Sequence, residues 1–377
     1  MPKIVINRKN EMAFFPLYEK FIAASKNGRR IQPNGKRISH DSVMNYYGPL
    51  RLLEKFCKHY QFVLRLRQLR YLNKRDILAE KKYWKNFYLK FSNYLYKICG
   101  HHDNYVGHTF KTLRTFFNYL NKDQMLDVGE FHKIFYVRKE DLPVIALLPE
   151  ELNFLIYDSD FTNSLSLKLR EVKNIFVFGC TVALRFSDLM ALNKTNLRIV
   201  NDSFYLAVRS KKTGVDTQMK LPDYAVKILE KFKGNGNKLL PVCNSTLFNE
   251  LIKLICEKAG FTQPANKLRS IRGILVNIKN KTEKNPRGKQ YRFCDMISSH
   301  TMRRTAITTM LCLGVPEQLV RKISGHSPMS KEFFRYISLA QTYQDKELSI
   351  MFKLLKERKL VRNYKSKCLK KSNFFEC

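Results

Sequence analysis

SSHTMRRTAITTMLCLGVPEQLVRKISGHSPMSKEFFRYISLAQ, residues 298–341, carries three helix signatures in succession. In the first, His300 and Arg303 stand one turn apart and so share a face, and Gly314 closes the run. The second has Pro316 near its start and Gly325 at its end, the usual asymmetry of helix termini. His326 follows at once. Ser330 can cap the third run, in which Phe333, Tyr336 and Ala340 recur at helical spacing. Tyr336 therefore has two readings. It is a buried aromatic, as that spacing suggests, or a nucleophile placed ten residues beyond a histidine.

Upstream, the residues around this stretch alternate between long apolar helices and one clear hairpin. LREVKNIFVFGCTVAL, residues 169–184, is apolar nearly all round and predicts a buried helix. It stops at RFSDLMALN, where Arg185 opens a new helix that Ser187 can cap. SFYLAVRSKKTGVDTQMKLP, residues 203–222, alternates about the turn signal Lys212-Thr213-Gly214 and predicts a β-hairpin. Residues 223–232 and 245–260 have amphipathic helical spacing, and residues 279–293 read as a basic loop containing glycine and proline. Pro149 followed by Glu150 and Glu151 starts a helix well, which places the start of this domain at 147.

The N-terminal part is different in texture. Residues 40–60, 74–98 and 104–122 are helical runs rich in aromatics, with Phe110, Leu113, Phe116, Phe117 and Leu120 on one face. The expected organisation is a helical domain over 1–122, a linker over 123–146, a mixed α/β domain over 147–352 and a basic tail over 353–377. The tail holds nine Lys/Arg against two acids. The fold class is mainly α with a small β-hairpin or sheet.

The charge narrows the partner. Lys and Arg number 69 against 32 acids, a net charge of +37, in a chain that is 44% hydrophobic. A folded protein so charged repels itself unless a polyanion neutralises it, and nucleic acid is the leading candidate. No apolar run reaches the ~20 residues of a membrane helix, and the first residues lack the apolar core and cleavage site of a secretory signal. Nine cysteines with no Cys-x-x-Cys pair read as reduced thiols of a cytosolic protein. Cys99, His101, His102 and His108 cluster without the second ligand pair that zinc sites show, and read as a polar loop. No metal and no cofactor is expected.

Taken singly, Arg185 is an ordinary ion-pairing arginine, Lys212 a solvated turn residue and His-x-x-Arg a common helical spacing. Their order is what carries information. GCTVALRFSDLMALN, VRSKKTGVDTQMKLP, HTMRRTAITTML, ISGHS and FFRYI follow one another as Arg, Lys, His-x-x-Arg, His, Tyr. In this the chain resembles the tyrosine recombinase, or phage integrase, family over about residues 147–345. The N-terminal helices are similar in kind to that family's core-binding domain. Two departures stand out. The family usually has nine residues from the second histidine to the tyrosine, whereas His326 to Tyr336 is ten, and Lys211 adjoins Lys212. Tyr343 is the near competitor for the nucleophile.

The resemblance implies a site-specific DNA recombinase serving a mobile element, with Arg185, Lys212, His300, Arg303, His326 and Tyr336 as the catalytic set. Two guanidiniums grip the phosphate and stay charged at any physiological pH. His300 handles a proton, His326 hydrogen-bonds to the phosphate, and Lys212 protonates the leaving oxygen. The product is a 3′-phosphotyrosyl link with a free 5′ hydroxyl. The implied partners are double-stranded DNA held between two basic domains, three further copies of the chain in a tetramer on DNA, and accessory DNA-bending proteins. The implied location is cytoplasmic and DNA-associated. A type IB topoisomerase-like enzyme and a non-catalytic DNA-binding relative are the alternative readings.

Overall fold

Two apolar patterns, one aromatic and N-terminal, the other mostly aliphatic, build the cores of two units in a computed structural model, the second unit holding a further small cluster around Ala306, Val320, Phe333 and Tyr336. It describes residues 11–140, 142–210, 214–282 and 285–372. Lys212 lies outside the described residues. One unit comprises residues up to 142 together with 268–278, and the other 143–267 and 279 onward.

The first unit begins with β1 (Glu11–Ala13), α1 (Phe14–Lys26), α2 (His40–Met44) and α3 (Tyr47–Tyr60). Next come β2 (Arg65–Arg67), which pairs antiparallel with β1, α4 (Lys74–Asn93) and α5 (Asp103–Lys122). Its core is an aromatic mesh that includes Phe14, Phe21, Phe56, Trp84, Phe87, Phe91 and Phe110. The predicted face of α5 is all in it: Phe110, Leu113, Phe116, Phe117 and Leu120 are fully buried. Burying large rings in this way contributes on the order of 2 kcal/mol each. The stretch read as a linker is also part of this core, since Val128, His132 and Phe135 are buried in it. The division thus falls after Leu142, later than the expected end of the helical domain.

The second unit holds α6 (Pro149–Tyr157), α7 (Ser159–Ser164), α8 (Leu167–Val182) and α9 (Phe186–Ala191). A three-stranded antiparallel sheet of β3 (Leu197–Val200), β4 (Ser203–Arg209) and β5 (Asp216–Lys220) follows, then α10 (Asp223–Glu230) and α11 (Ser245–Lys258). The register, with Val208 opposite Thr217 and Arg209 opposite Asp216, is that of the predicted hairpin. Buried nearly all round, α8 forms the axis of this core, as its sequence predicts. Gly179 is there because a Cβ would stand 2.3 Å from the sulfur of Met302 on the neighbouring helix.

Residues 264–292, read partly as a basic loop, instead form short strands. These are β6 (Pro264–Ala265), β7 (Lys267–Ile271), β8 (Ile274–Ile278), β9 (Asn280–Thr282), β10 (Asn285–Lys289) and β11 (Tyr291–Arg292). The β7–β8 pair belongs to the first unit. Its turn, Arg272-Gly273, has positive φ at both residues (+55° and +86°), the mirror-image turn that suits strand twist. Two buried carboxylates of that unit receive it. Asp103 accepts from the Arg272 and Gly273 amides at 2.7 Å each and from the Tyr96 hydroxyl at 2.5 Å. Glu140 accepts from the Ser270 amide at 3.1 Å and the Asn104 amide at 2.9 Å.

The chain closes with α12 (Phe293–Met296), α13 (Ser299–Cys312), α14 (Glu317–Ser324) and α15 (Phe334–Ser372). The basic tail expected to begin at 353 continues α15 without a break to 372. Overall the architecture is mainly α with small antiparallel sheets.

Candidate active site

Four junctions of the second unit converge on one basic cluster of side chains. The first is the end of α8. Ala183 takes a left-handed conformation (φ +56°) and turns the chain, and extended Arg185 becomes the N-cap of α9. Ser187, the expected cap, lies one residue inside the helix. Arg185 Nη1 donates to Ser210 Oγ at 3.0 Å, and that hydroxyl donates to buried Asp188 at 3.1 Å. Ser210 follows β4 directly, and its amide donates to the Val215 carbonyl at 2.9 Å across the base of the hairpin. One serine therefore ties the base of the hairpin to the arginine.

The second junction is α13, which places His300 in its first turn and Arg303 in its second. Arg303 is buried, 4% exposed. Its Nη1 donates to the Ala183 carbonyl at 2.8 Å, so the strained turn after α8 and the guanidinium hold each other. Its Nη2 lies 3.3 Å from both ring nitrogens of His326. Burial, and then the neighbouring Arg185 cation, lowers the Arg303 pKa from 12.5 to about 10. A buried guanidinium beside a second cation is an environment in which an anion would be stabilised.

His326 comes third. Gly325, left-handed at φ +63°, ends α14 and swings His326 back under the last turn. There its ring meets Ser324, with Oγ 2.8 Å from Nδ1, and packs against Phe333 and Tyr336 with ring centroids 5.3 and 6.0 Å away. Both histidines resist protonation. Burial first, then Arg304, Arg303 and Arg185, pushes His300 down to about 4. Burial, then Arg303, Arg185 and Arg321, pushes His326 down to about 3. Both are neutral at pH 7.

The fourth junction brings Tyr336. The ten-residue step from His326 is taken up by two consecutive tight turns, with the Ser330 amide on the Ser327 carbonyl (3.0 Å) and the Phe333 amide on the Ser330 carbonyl (3.1 Å). Ser330 is thus spent in a turn, and α15 starts at Phe334 rather than at a Ser330 cap. Arg321 braces this loop. Its guanidinium sits 4.0 Å from the Phe333 ring centre, donates to the Ser327 carbonyl at 3.1 Å and pairs with Glu317 at 2.6 Å. Tyr336, 6% exposed, then lies in the first turn of α15 against His326. Tyr343, two turns on and about 10 Å along the helix, gives its hydroxyl to Glu150 at 2.5 Å.

Arg185, His300, Arg303, His326 and Tyr336 are therefore brought to one place from the ends of α8 and α14 and from α13 and α15, and Ser210 ties the base of the β4–β5 hairpin to Arg185; Lys212 lies outside the described residues. Sequence reasoning passed over Ser210, Ser324 and Arg321. No periodicity marks a single hydroxyl, and Arg321 reads as one more surface charge on a basic helix.

The phage integrase family model matches residues 150–342. The fold is similar to that of the XerH site-specific recombinase bound to a palindromic difH substrate in a post-cleavage complex. That match has a TM-score of 0.55 and 15% identity, and covers 89% of this chain and 84% of that one. It is also similar to the Tn1549 transposon integrase in complex with transposon right-end DNA, with a TM-score of 0.53, 14% identity, and 86% and 93% coverage. A lambda integrase dimer bound to a COC′ core site gives 0.52, 13% identity, and 88% and 79% coverage. At such identities the likeness is one of fold. No protein of curated function matches the sequence.

Proposed function

This chain belongs to the phage integrase family and has the fold of site-specific tyrosine recombinases, and on that premise we propose that it cuts and rejoins duplex DNA through a 3′-phosphotyrosyl link on Tyr336. The observation that carries the reading is the convergence of Arg185, Arg303 and two neutral histidines beside Tyr336.

A phosphodiester is anionic and repels nucleophiles, so the site must supply fixed positive charge at phosphorus. Arg303, held by the Ala183 carbonyl, and Arg185, held by Ser210, are set in place before substrate arrives. That prior ordering is where electrostatic catalysis gains most. Tyr336 Oη attacks phosphorus as its proton passes to His300. The Oη–P bond forms and the P–O5′ bond breaks, and the leaving oxygen takes its proton from Lys212. His300 is a weak base in the free site, and the arriving phosphate anion raises its affinity for that proton. His326 hydrogen-bonds to a non-bridging oxygen. The reverse sequence, with a 5′ hydroxyl from a partner strand, reseals the bond and restores both protons, so bond energy is conserved in the covalent link.

The net charge of +37 supports duplex DNA as the partner, with a steep loss of affinity as salt rises. A tetramer on two duplexes, a mobile-element role and a DNA-associated, cytoplasmic location are parts of the same reading. It is tested by incubating the protein with two distinguishable duplexes that carry the ends of its element. Joint molecules with exchanged flanks support recombination. Relaxation of a supercoiled plasmid without any joint product would instead favour the topoisomerase-like reading.

A further inference from the structure

The phosphate contact assigned to His326 needs an N–H at Nε2, and the free site does not present one. Ser324 is buried at the end of α14, and its Oγ lies 2.6 Å from the Val320 carbonyl. A carbonyl only accepts, so the hydroxyl proton is committed there. The same Oγ is 2.8 Å from His326 Nδ1. With its proton already given away, Oγ can only accept at that contact, so Nδ1 must carry the hydrogen. Arg303 does not discriminate between the ring nitrogens, since its Nη2 lies 3.3 Å from each, so Ser324 alone sets the tautomer. The chain of bonds runs one way, from Nδ1–H through Ser324 to the end of the helix.

We propose that Ser324 is a positioning residue that fixes His326 in the Nδ1–H tautomer and so aims an unprotonated Nε2 at the phosphate position. The inference rests on the reading of His326 as a phosphate-site residue. Its consequence is that His326 becomes a donor to phosphate only by taking up a second proton, and that this proton always lands on Nε2 because Nδ1 is already engaged. The charged and titratable groups facing the ring are Arg303 and His300 from α13, Arg185 before α9, Arg321 from α14 and Tyr336 from α15. In the free site burial, and then the Arg303, Arg185 and Arg321 cations, keep the second proton off. An incoming phosphate screens them and makes the uptake favourable.

The test uses the full chain labelled with 15N-histidine and no DNA, with the His326 signals identified by their loss in His326→Gln. Long-range 1H–15N spectra should show a protonated Nδ1 and a bare Nε2 in the wild type and in Ser324→Thr. In Ser324→Ala the tautomers should mix. On a nicked half-site, Ser324→Ala should form covalent adduct about tenfold more slowly, the worth of one hydrogen bond, with Ser324→Thr restored close to wild type. Melting temperatures of both variants check that the fold is kept. A proton on Nε2 in the wild type, or an unchanged tautomer in Ser324→Ala, would overturn the assignment. Because the spectra need no catalysis, a protein that forms no adduct on Tyr336 would refute the recombinase reading and leave the tautomer result standing.

Discussion

Replacing Arg303 by lysine keeps a cation and changes both its reach and its proton affinity. In place, the guanidinium donates to the Ala183 carbonyl at 2.8 Å and lies 3.3 Å from the His326 ring nitrogens. An ammonium is a point charge and cannot reproduce that fork. A buried carbonyl losing its donor costs about 1–3 kcal/mol, and losing a fixed donor to the transition state slows such reactions about 100-fold. The environment adds a second effect. It brings arginine from 12.5 to about 10. The same penalty acts on lysine, whose ordinary proton affinity is already lower than arginine's, and so favours its neutral form further. The cation is therefore lost as pH rises through the assay range. The assay is covalent adduct formation on a nicked half-site at limiting enzyme, which reports the free protein's ionisations, from pH 6.5 to 9.5. The ratio of Arg303→Lys to wild type should be about 0.01 near pH 7 and fall further as pH rises toward 9.5. Taking the ratio cancels ionisations common to both proteins. A variant within about threefold of wild type, or a ratio flat to pH 9, would refute the argument that Arg303 acts as a buried, forked cation.

Other consequences follow from the same structure. His300 and His326 titrate below their ordinary range in the fold, so between about pH 6.5 and 4 the unfolded chain binds more protons, and stability falls as pH drops through that window. His101, His108 and His132, lowered mainly by burial, add to the effect. Urea midpoints at pH 7.5 and 5 measure it, and a His300→Asn, His326→Asn double variant should show a smaller difference. Asp103→Ala strips the acceptor from the Arg272 and Gly273 amides, and should destabilise the first unit by about 3 kcal/mol. Amide exchange at Arg272 and Gly273 should rise first, while an unchanged exchange pattern would show that the carboxylate does not hold the hairpin.

What the sequence made legible is what periodicity and order can carry. The buried face of α5, the apolar α8 and the β4–β5 hairpin are written in spacings of 3.6 and 2, and the structure follows them. The site was legible as an order of residue types, because phosphate chemistry needs arginines, histidines and a tyrosine whatever the loops between them. The β6–β11 strands were not legible. They are two to five residues long, show no sustained alternation of apolar and polar residues (β8 is Ile-Leu-Val-Asn-Ile), and turn at Arg272-Gly273 without the usual Asn-Gly signal. Asp103 was hidden in a run of histidines that reads as a solvated loop, and only the β7–β8 backbone, more than 160 residues away, makes it a buried acceptor. The extra residue before Tyr336 could be counted but not placed. Its accommodation depends on Arg321 stacking on Phe333, a contact that no local pattern encodes.

The central claim is that Tyr336, not Tyr343, is the nucleophile of this site. Tyr336 packs against His326, while Tyr343 is engaged by Glu150. The direct measurement is the covalent protein–DNA adduct on a nicked half-site, resolved by denaturing electrophoresis and mapped by peptide mass. Wild type and Tyr343→Phe should form it, with the DNA 3′ end on Tyr336, and Tyr336→Phe should not. An adduct that survives Tyr336→Phe, or that disappears in Tyr343→Phe alone, would contradict the account.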